Sequence, residues 1–421
     1  MKKFTISLLF ILFSLTVFAQ EKTTNTADTL RKDALNVFMS ASSYLKTEIP
    51  FINYVRDRKV ADLIIIDTYQ STGSGGAEYT YFIEGQFKYA GMMDTLKFTS
   101  SPDDTQDQIR SKEVKTLKMG LMRYMIKSPL AEYISIRFTE PISEVVTSDK
   151  WNNWVFRTRI SSSLNGQRTY KYHSVSSSIS ASKVTSEWKI NFNLNYSNSL
   201  SQYDYGDIKT SYRRKSSGGN LLMVKSLNDH WSAGVSANIF NSIYSNYDLS
   251  AGIQPGIEYD IFPYSESTRR QFRILYTAGL SYNNYSDTTQ FFQTEETLWS
   301  HSIQTSFSSV QKWGSIDISS TWSNYLHDFS LNNLSLDAYI SLKVAKGLSL
   351  TLFGSYSFIH DQISLRKGTA SIEDVLLRRQ ELSTTYSYYT SIGITYTFGS
   401  IFNNVVNPRF TRSGGGMIIM Y

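Results

Sequence analysis

The chain has 421 residues, a formal net charge of +6, no cysteine and an aromatic content of 14%, with 29 Tyr and 24 Phe against only 7 Pro. The absence of cysteine excludes disulfides, thiolate metal sites and cysteine nucleophiles. A charge excess this small over so long a chain argues against a nucleic-acid partner. The abundance of Tyr and Phe relative to Pro favours many β-strands.

The first residues have the pattern of a secretory signal peptide. Lys2 and Lys3 precede an apolar run over residues 6–18, and Ala19 occupies the small-residue position of a cleavage site. The run is too short to cross a bilayer comfortably, since a helix needs roughly 20 apolar residues. We therefore predict a signal peptide over 1–19, followed by a flexible linker over 20–32.

Residues 33–140 predict a small α+β domain with mixed periodicity. The expected order is strand, helix, three strands, helix, strand, with helices over 44–58 and from 101 to about 127 and a last strand over 133–138. The glycine-rich stretch 72–76 is interpreted as a hairpin turn, because a phosphate-binding loop would need a helix directly after it. By topology only, the domain resembles small periplasmic modules of envelope proteins, which implies a protein or peptidoglycan-associated partner.

From residue 150 onward, apolar and polar residues alternate with the period of a β-strand. The third of twelve such segments places Trp188, Ile190 and Phe192 on one face, and the twelfth runs from Tyr386 to Phe398. An even number of strands suits single-chain bacterial barrels. We predict that 150–398 forms an all-β, 12-stranded antiparallel transmembrane β-barrel, whose fourth strand carries Leu222 and Val224 on its outer face.

The connections between these segments predict the orientation of the barrel. Short connections follow strands two, four, eight and ten, and longer ones are expected over 199–207, 286–296 and 360–384. Outer-membrane barrels have short turns on the periplasmic side. The N-terminal domain and the tail over 399–421 are then periplasmic too. A secreted soluble β-protein is the alternative, although it would not explain this asymmetry.

The inner face of the predicted barrel carries the candidate functional residues. These charges could bias the passage of anions, or they could pair across the lumen and plug it. The candidate lumen charges are Arg157, Arg159, Lys189, Arg213, Arg273, Glu258, Asp260, Asp317 and Asp337.

Catalysis in the barrel wall is the alternative function. Outer-membrane phospholipases also have twelve strands, with a Ser-His-Asn site facing lipid, and His301 lies on the expected outer face here. Ser300 and Ser302 must point to the other face, because neighbouring strand residues alternate. No residue pattern predicts a metal or cofactor site, so we expect no enzyme. Residues 372–380 could form a short helical cap or a ligand-gating loop.

Three segments resemble outer-membrane β-barrel proteins of the Bacteroidota type: Phe18-Ala19-Gln20, Tyr396-Thr397-Phe398-Gly399 and the tail over 403–410. The resemblance covers the whole chain and implies no activity. It implies outer-membrane lipid and lipopolysaccharide as surroundings, and a barrel-insertion machinery that reads the strand ending at Phe398. The apolar end, Met417 to Tyr421, is the alternative terminal signal. The sequence therefore predicts a small pore, an anchor or an envelope-assembly component.

Overall fold

The computed structural model describes residues 33–73, 75–136, 149–206, 208–368 and 380–399. These residues form a five-stranded sheet with two α-helices, followed by a twelve-stranded antiparallel sheet. The predicted signal peptide, the linker over 20–32, nearly all of the tail and residues 372–379 of the predicted loop helix lie outside the described residues. Across the described ranges, neither helix has the length and apolar character that a membrane crossing requires.

The N-terminal domain, residues 33–136, is a two-layer α/β unit. Its sheet has the order β2-β1-β3-β4-β5, in which β1 pairs in parallel with β2 and β3 and the other pairs are antiparallel. Its elements are β1 Asn36–Phe38, α1 Ser43–Glu48, β2 Asn53–Tyr54, β3 Leu63–Ser71, β4 Ala77–Gly85, β5 Met93–Ser100 and α2 Gln106–Met125.

Two helix boundaries and one strand predicted for this domain were wrong. Helix α1 ends at Glu48, not at 58, because Pro50 disfavours helical backbone before it and cannot donate to the helix. Helix α2 begins after Thr105, which forms a capping box with Gln108, rather than at residue 101. In place of the last strand, 129–133 forms a 3-10 helix and 134–136 has no regular structure, while 137–138 lie outside the described residues.

The core of the N-terminal domain lies between its helices and one face of its sheet. Leu117 and Leu121 of α2 are almost fully buried against Ile65, Tyr81 and Ile83 of the sheet. Burying each aliphatic side chain of this size contributes about 1.5–3 kcal/mol. The apolar spacing on α2 therefore fixes which face of the five-stranded sheet is covered.

The second unit is a meander, in which each strand pairs with its neighbours in sequence. The two edges of the sheet are β6 and β17. The strands are β6 Trp154–Gln167, β7 Tyr170–Val184, β8 Trp188–Tyr205, β9 Ile208–Ser226, β10 Trp231–Ser242, β11 Tyr247–Asp260, β12 Arg270–Tyr285, β13 Glu295–Gln311, β14 Gly314–Tyr325, β15 Asp328–Ala345, β16 Leu348–Ile359 and β17 Tyr386–Tyr396.

The turns divide this sheet into two ends. We call proximal the end with the connections 185–187, 227–230, 261–269, 312–313 and 346–347, and distal the opposite end. The long connection expected over 199–207 is instead strand, because β8 and β9 extend to 18 and 19 residues. The distal end keeps the longer connections predicted near 286–296 and 360–384, now 286–294 and 360–385, but the proximal connection 261–269 is as long as the first of them.

The register assigns every strand residue to one of two faces, since directly paired residues share a face. We call apolar the face that carries Trp188 and Phe192 on β8. Phe192 pairs with Ala181 on β7 and with Leu221 on β9, so this face continues onto both neighbouring strands. We call polar the opposite face, which is rich in Ser and Asn. The alternation found in the sequence is therefore a continuous feature of the whole sheet.

Candidate functional site at the proximal end of the twelve-stranded sheet

The register places eight of the nine candidate charges on the polar face. Arg157 pairs with Ser180, Lys189 with Val224, and Asp260 with Arg273, all opposite the face of Trp188. The eight residues on the polar face are Arg157, Arg159, Lys189, Arg273, Glu258, Asp260, Asp317 and Asp337.

Arg213 lies on the apolar face, contrary to the sequence prediction. It pairs with Leu200, whereas Arg214 occupies the polar face and stacks 4.5 Å from the ring centroid of Tyr244. The predicted phase of this strand was wrong by one residue, so Leu222 and Val224 lie on the polar face as well. A slip of one residue exchanges the faces of a strand, and the polar sequence of β9 gave no strong apolar alternation to fix the phase.

The acidic groups of the polar face are held by neighbouring strands. Glu258 lies 3.8 Å from Arg273 and accepts a hydrogen bond from the Tyr264 hydroxyl at 2.9 Å. Asp260 is fully buried and accepts from the backbone N–H groups of Phe262 and Phe272 at 3.1 and 3.0 Å. Within the described ranges, no ion pair of this sheet joins strands that are not adjacent. A plug made of charges paired across the polar face is therefore not what the described residues show.

The N-terminal domain itself contacts the proximal end of the sheet. Glu84 forms an ion pair with Lys312 in the β13–β14 turn, and Arg58 donates to the Lys312 carbonyl at 3.4 Å. Asp57 lies 3.1 Å from Lys346 in the β15–β16 turn. Two proximal turns are thus bound by charges from one side of the domain.

The glycine-rich turn between β3 and β4 contacts the first strands of the sheet. The Gly73 carbonyl accepts a hydrogen bond from the Ser182 hydroxyl, and the Gly75 carbonyl accepts one from Arg157 at 3.2 Å. A Cβ atom on Gly73 would lie 2.1 Å from the Cβ of Val184, so only glycine allows this approach. The predicted hairpin turn is present, and its glycines serve a contact that the sequence did not reveal.

The side of the five-stranded sheet that faces away from its helices is covered by the proximal end. Ile64 and Thr80 lie on that side and are only 2% and 1% exposed. The Phe82 ring lies 5.0 Å from the Arg269 guanidinium, and the Phe38 ring 4.2 Å from the Lys343 ammonium. Helices, five-stranded sheet and proximal turns therefore form successive layers.

These contacts require the twelve-stranded sheet to curve. Nine strand spacings separate β6 from β15, or roughly 43 Å if the sheet were flat. A compact domain of about 100 residues has a radius of gyration of roughly 13 Å, yet this domain contacts Arg157 in β6 and Lys346 just after β15. The sheet therefore curves, so that its proximal end meets one side of the domain both at β6 and at the β15–β16 turn.

Loops pack over part of the distal end. Asn246 is 2% exposed and donates to the carbonyls of Asp287 and Ser364, both at 2.9 Å. Arg366 pairs with Asp287 at 3.3 Å, and Leu365 beside it is 6% exposed. A cavity of about 970 Å³ remains between these loops and the strands, with Tyr244, Asp361 and Glu381 in its lining.

Two histidines on the apolar face, His301 and His173, contact side chains of neighbouring strands, and the sequence predicted neither contact. The His301 ring contacts the Tyr276 hydroxyl at 3.3 Å and the Trp322 ring at 5.3 Å between centroids. On the same apolar face, the Ser162 hydroxyl lies 3.4 Å from Nε2 of His173. The one available signal was a Ser and a His on the same face of two adjacent strands, at diagonal positions of the register. Throughout the described part of the chain, no three His, Asp or Glu side chains are grouped to hold a metal ion.

No protein-family model and no curated protein matches the sequence. Among solved structures, the chain is similar to CdiB from Acinetobacter baumannii, with 10% identity and a TM-score of 0.26, over 86% of this chain and 74% of that chain. A superposition at that score does not establish a shared fold or function.

Proposed function

We propose that the chain is a non-enzymatic outer-membrane β-barrel protein that anchors its N-terminal domain at the periplasmic face of the membrane, with no open pore in its resting state. The position of the domain carries this proposal. Its sheet lies across the proximal end, joined by Glu84, Asp57 and Gly75 to turns and strands from both halves of the larger sheet.

The apolar face of the twelve-stranded sheet supports a membrane environment. Leu194, Ile253, Trp299 and Ile392 are exposed there by 43%, 52%, 56% and 65%, on four strands spread from β8 to β17. Apolar surface on this scale would favour aggregation in water and is stabilised by lipid. Four of the five proximal connections have two to four residues, and short turns of this kind then mark the periplasmic side.

The two edge strands favour closure of the sheet into a barrel. Neither β6 nor β17 has a second strand neighbour in the described structure. Unpaired backbone groups in hydrocarbon cost several kcal/mol each, so open sheet edges do not occur there. We propose that β6 and β17 pair antiparallel, since β6 leaves the proximal end and β17 returns to it.

Cysteine cross-linking tests this closure, because the chain has no native cysteine. Thr158→Cys in β6 is combined in turn with cysteine at 390, 392 and 394 of β17, all on the apolar face. A disulfide in at least one combination is expected in membrane-embedded protein. Cysteine at Ala278 in β12 is the matched control and should not cross-link. Equal mobility of boiled and unboiled protein in a gel would contradict the barrel itself.

Planar-bilayer recordings test the absence of an open pore. Full-length protein should insert without steady conductance, and mild urea that unfolds only the N-terminal domain should produce conductance steps. Steady conductance from intact protein would instead favour the small pore.

A hydrolase in the barrel wall is the second candidate, on the single observation of the Ser162–His173 contact. A nucleophilic Ser needs a His base that a third group orients, and no such hydrogen bond to Nδ1 of His173 is present among the described residues. Calcium-dependent release of fatty acid from phospholipid, lost in Ser162→Ala, would support this candidate over the anchor.

A further inference from the structure

Strand β5 forms an unpaired edge on the N-terminal domain. It is the last strand of the five-stranded sheet and pairs only with β4 among the described residues. Along its outer side, the Thr99 carbonyl accepts a hydrogen bond from Lys112 at 3.3 Å. The other backbone groups on that side form a row that an added strand could pair with.

Helix α2 flanks this edge. It runs antiparallel to β5, since Lys112 reaches Thr99 near one end and Arg123 forms an ion pair with Asp94 near the other. Between them, the helix and strand are so close that a Cβ on Gly120 would lie 2.1 Å from Leu96. Edge strand and helix flank together form a groove, which we call the β5 groove.

The helix side of the β5 groove is basic. Lys112, Met119 and Arg123 lie on one stripe of α2, because residues three and four apart are neighbours on a helix, and Lys127 follows just beyond the end of the helix. The Lys112 and Arg123 side chains remain 43% and 56% exposed although each has an acidic partner, and Met119 is 60% exposed. Lys127 contacts the Met92 sulfur at 3.5 Å.

The opposite side of the groove has no excess charge. Met93 is 62% exposed there, and the charge of Lys97 is balanced by Glu78 at 2.7 Å. A Lys on an edge strand commonly discourages pairing with other chains. Lys97, however, shares a face with Thr80 rather than with Asp94, so it points away from α2 and leaves the helix side of the groove open.

The remaining surfaces of the sheet are unsuited to a partner. The other edge strand, β2, has only two residues and precedes Asp57 and Arg58, which contact the proximal turns. One face of the sheet is covered by helices, and the other by the proximal end. Among the described residues, the β5 edge is therefore the accessible edge of the domain.

We propose that the β5 groove binds an extended segment of another envelope protein by strand addition, and that this segment carries carboxylates at alternate positions facing α2. Main-chain pairing with β5 would supply affinity, and alternate side chains would supply specificity. Three cations against the two carboxylates that pair with them, Asp104 and Asp94, leave a positive excess on the helix side, which favours an acidic segment over a basic one. The proposal rests on the proposed function, which places the groove in the periplasm.

A peptide of alternating Val and Glu, seven residues long and labelled with fluorescein, serves as the probe. Fluorescence anisotropy with the full chain in detergent micelles should show saturable binding. The matched peptide of alternating Val and Lys should bind at least tenfold more weakly. Arg123→Glu should weaken binding of the Glu peptide about tenfold, or 1.4 kcal/mol. Lys118→Glu, about 140° around the helix from Arg123 by the 3.6-residue period, should leave it unchanged.

Peptide N-methylation tests strand addition without altering the protein. A strand paired along one edge uses alternate N–H groups only. Methylation of one alternate set should therefore abolish binding, and methylation of the other set should preserve it. Equal binding of both methylated peptides, or no binding of the parent peptide, would overturn the proposal.

Two controls separate a failure of the β5 groove proposal from a failure of the barrel and from binding of the chain's own tail. Gel mobility of the same preparation, boiled and unboiled, reports the barrel, so absent binding with normal mobility contradicts the groove alone. The chain truncated after residue 398 reports whether its own tail occupies the groove. Binding only after truncation would overturn the proposal of a partner in favour of the tail.

Discussion

The ammonium group of Lys346 lies 3.1 Å from Oδ2 of Asp57, which joins the β15–β16 turn to the N-terminal domain. The Asp57 side chain is 9% exposed and Oδ1 also accepts from the backbone N–H of Lys59 at 3.0 Å. That backbone hydrogen bond, and to a lesser degree Lys346, hold the pKa of Asp57 below its ordinary value of 3.8. Ionised Asp57 therefore stabilises both its own turn and the contact with the larger sheet.

Asp57→Asn should weaken this contact without removing the turn. Asparagine keeps an oxygen that accepts from Lys59 but loses the charge, so we expect a loss of about 0.5–1 kcal/mol, the range of a partly exposed ion pair. All α-helix of the described chain lies in the N-terminal domain, so the helical circular dichroism signal in urea measures its unfolding. Glu78→Gln, at the ion pair with Lys97 on the β5 edge, is the control.

The ionised form of Asp57 should also make the stability of the N-terminal domain depend on pH in the acid range. A carboxyl with a lowered pKa contributes its full stabilisation above pH 3.8 and loses it as the pH falls through the pKa of the folded state. The wild-type domain should therefore lose more stability below pH 3.8 than Asp57→Asn does. Parallel pH curves for the two proteins would contradict this assignment.

Glu113 should have the opposite pH dependence. Burial raises its pKa above 4.5, with Asp67 adding to the effect, although the Tyr81 hydroxyl donates to it at 3.0 Å and acts against the shift. A carboxyl with a raised pKa contributes stability below 4.5 and loses it as the pH rises through the folded value. We expect Glu113→Gln, which still accepts from Tyr81, to match or exceed wild-type stability at pH 7 by up to about 1 kcal/mol.

A substitution of Tyr81, the hydrogen-bond donor to Glu113, tests the same interaction from the other side. Tyr81→Phe leaves the Glu113 carboxylate without its hydroxyl donor, and the cost should be about 1–3 kcal/mol at pH 7. Thermal unfolding followed by circular dichroism measures both variants. A Glu113→Gln protein less stable than wild type at pH 7 would show that the charge is needed.

The sequence predicted the strands of the larger sheet better than the domain contacts. Alternation was strong in β17 and in the first half of β8, where one face is mostly apolar, and those phases agree with the register. In β9 the run around Arg213 is polar on both faces, so periodicity could not fix the phase. The Gly73 contact with Val184 lies 111 positions away along the chain, and no local pattern encodes such a pairing.

Gly73→Ala should displace the β3–β4 turn from the first strands. The new Cβ would lie 2.1 Å from Cβ and 2.4 Å from Cγ2 of Val184, and this β-branched side chain has little freedom to move. Overpacking of this kind costs about 1–3 kcal/mol. Cleavage of the turn by proteinase K should become faster in the folded protein.

Two further variants test whether the clash with Val184 causes the faster cleavage of the Gly73→Ala turn. At Gly166 the nearest atom to an added Cβ is 4.0 Å away, so Gly166→Ala should leave the cleavage rate unchanged. Adding Val184→Gly to Gly73→Ala removes both clashing side-chain atoms and should restore much of the protection. An unprotected double variant would indicate that the turn does not dock against Val184.

The hydrogen bonds of Asn246 should hold the two longer distal loops in place. Its side chain donates to two carbonyls and accepts from the Asp287 N–H at 2.8 Å, while its backbone has a φ of 65°. Asn246→Ala removes all three bonds and adds strain, because alanine adopts a positive φ poorly. Asn246→Gly removes the same bonds but tolerates that φ.

The two substitutions together separate hydrogen bonding from backbone strain. Both should leave the carbonyls of Asp287 and Ser364 without this donor and cost about 2–3 kcal/mol, with alanine about 1 kcal/mol worse than glycine. Hydrogen exchange over 286–294 and 361–366 should then increase in both variants, while exchange in the N-terminal domain stays the same. Because these loops pack over part of the distal end, bilayer recordings of the glycine variant also show whether they contribute to closure. A silent variant with exchanging loops would mean that the N-terminal domain alone closes the pathway.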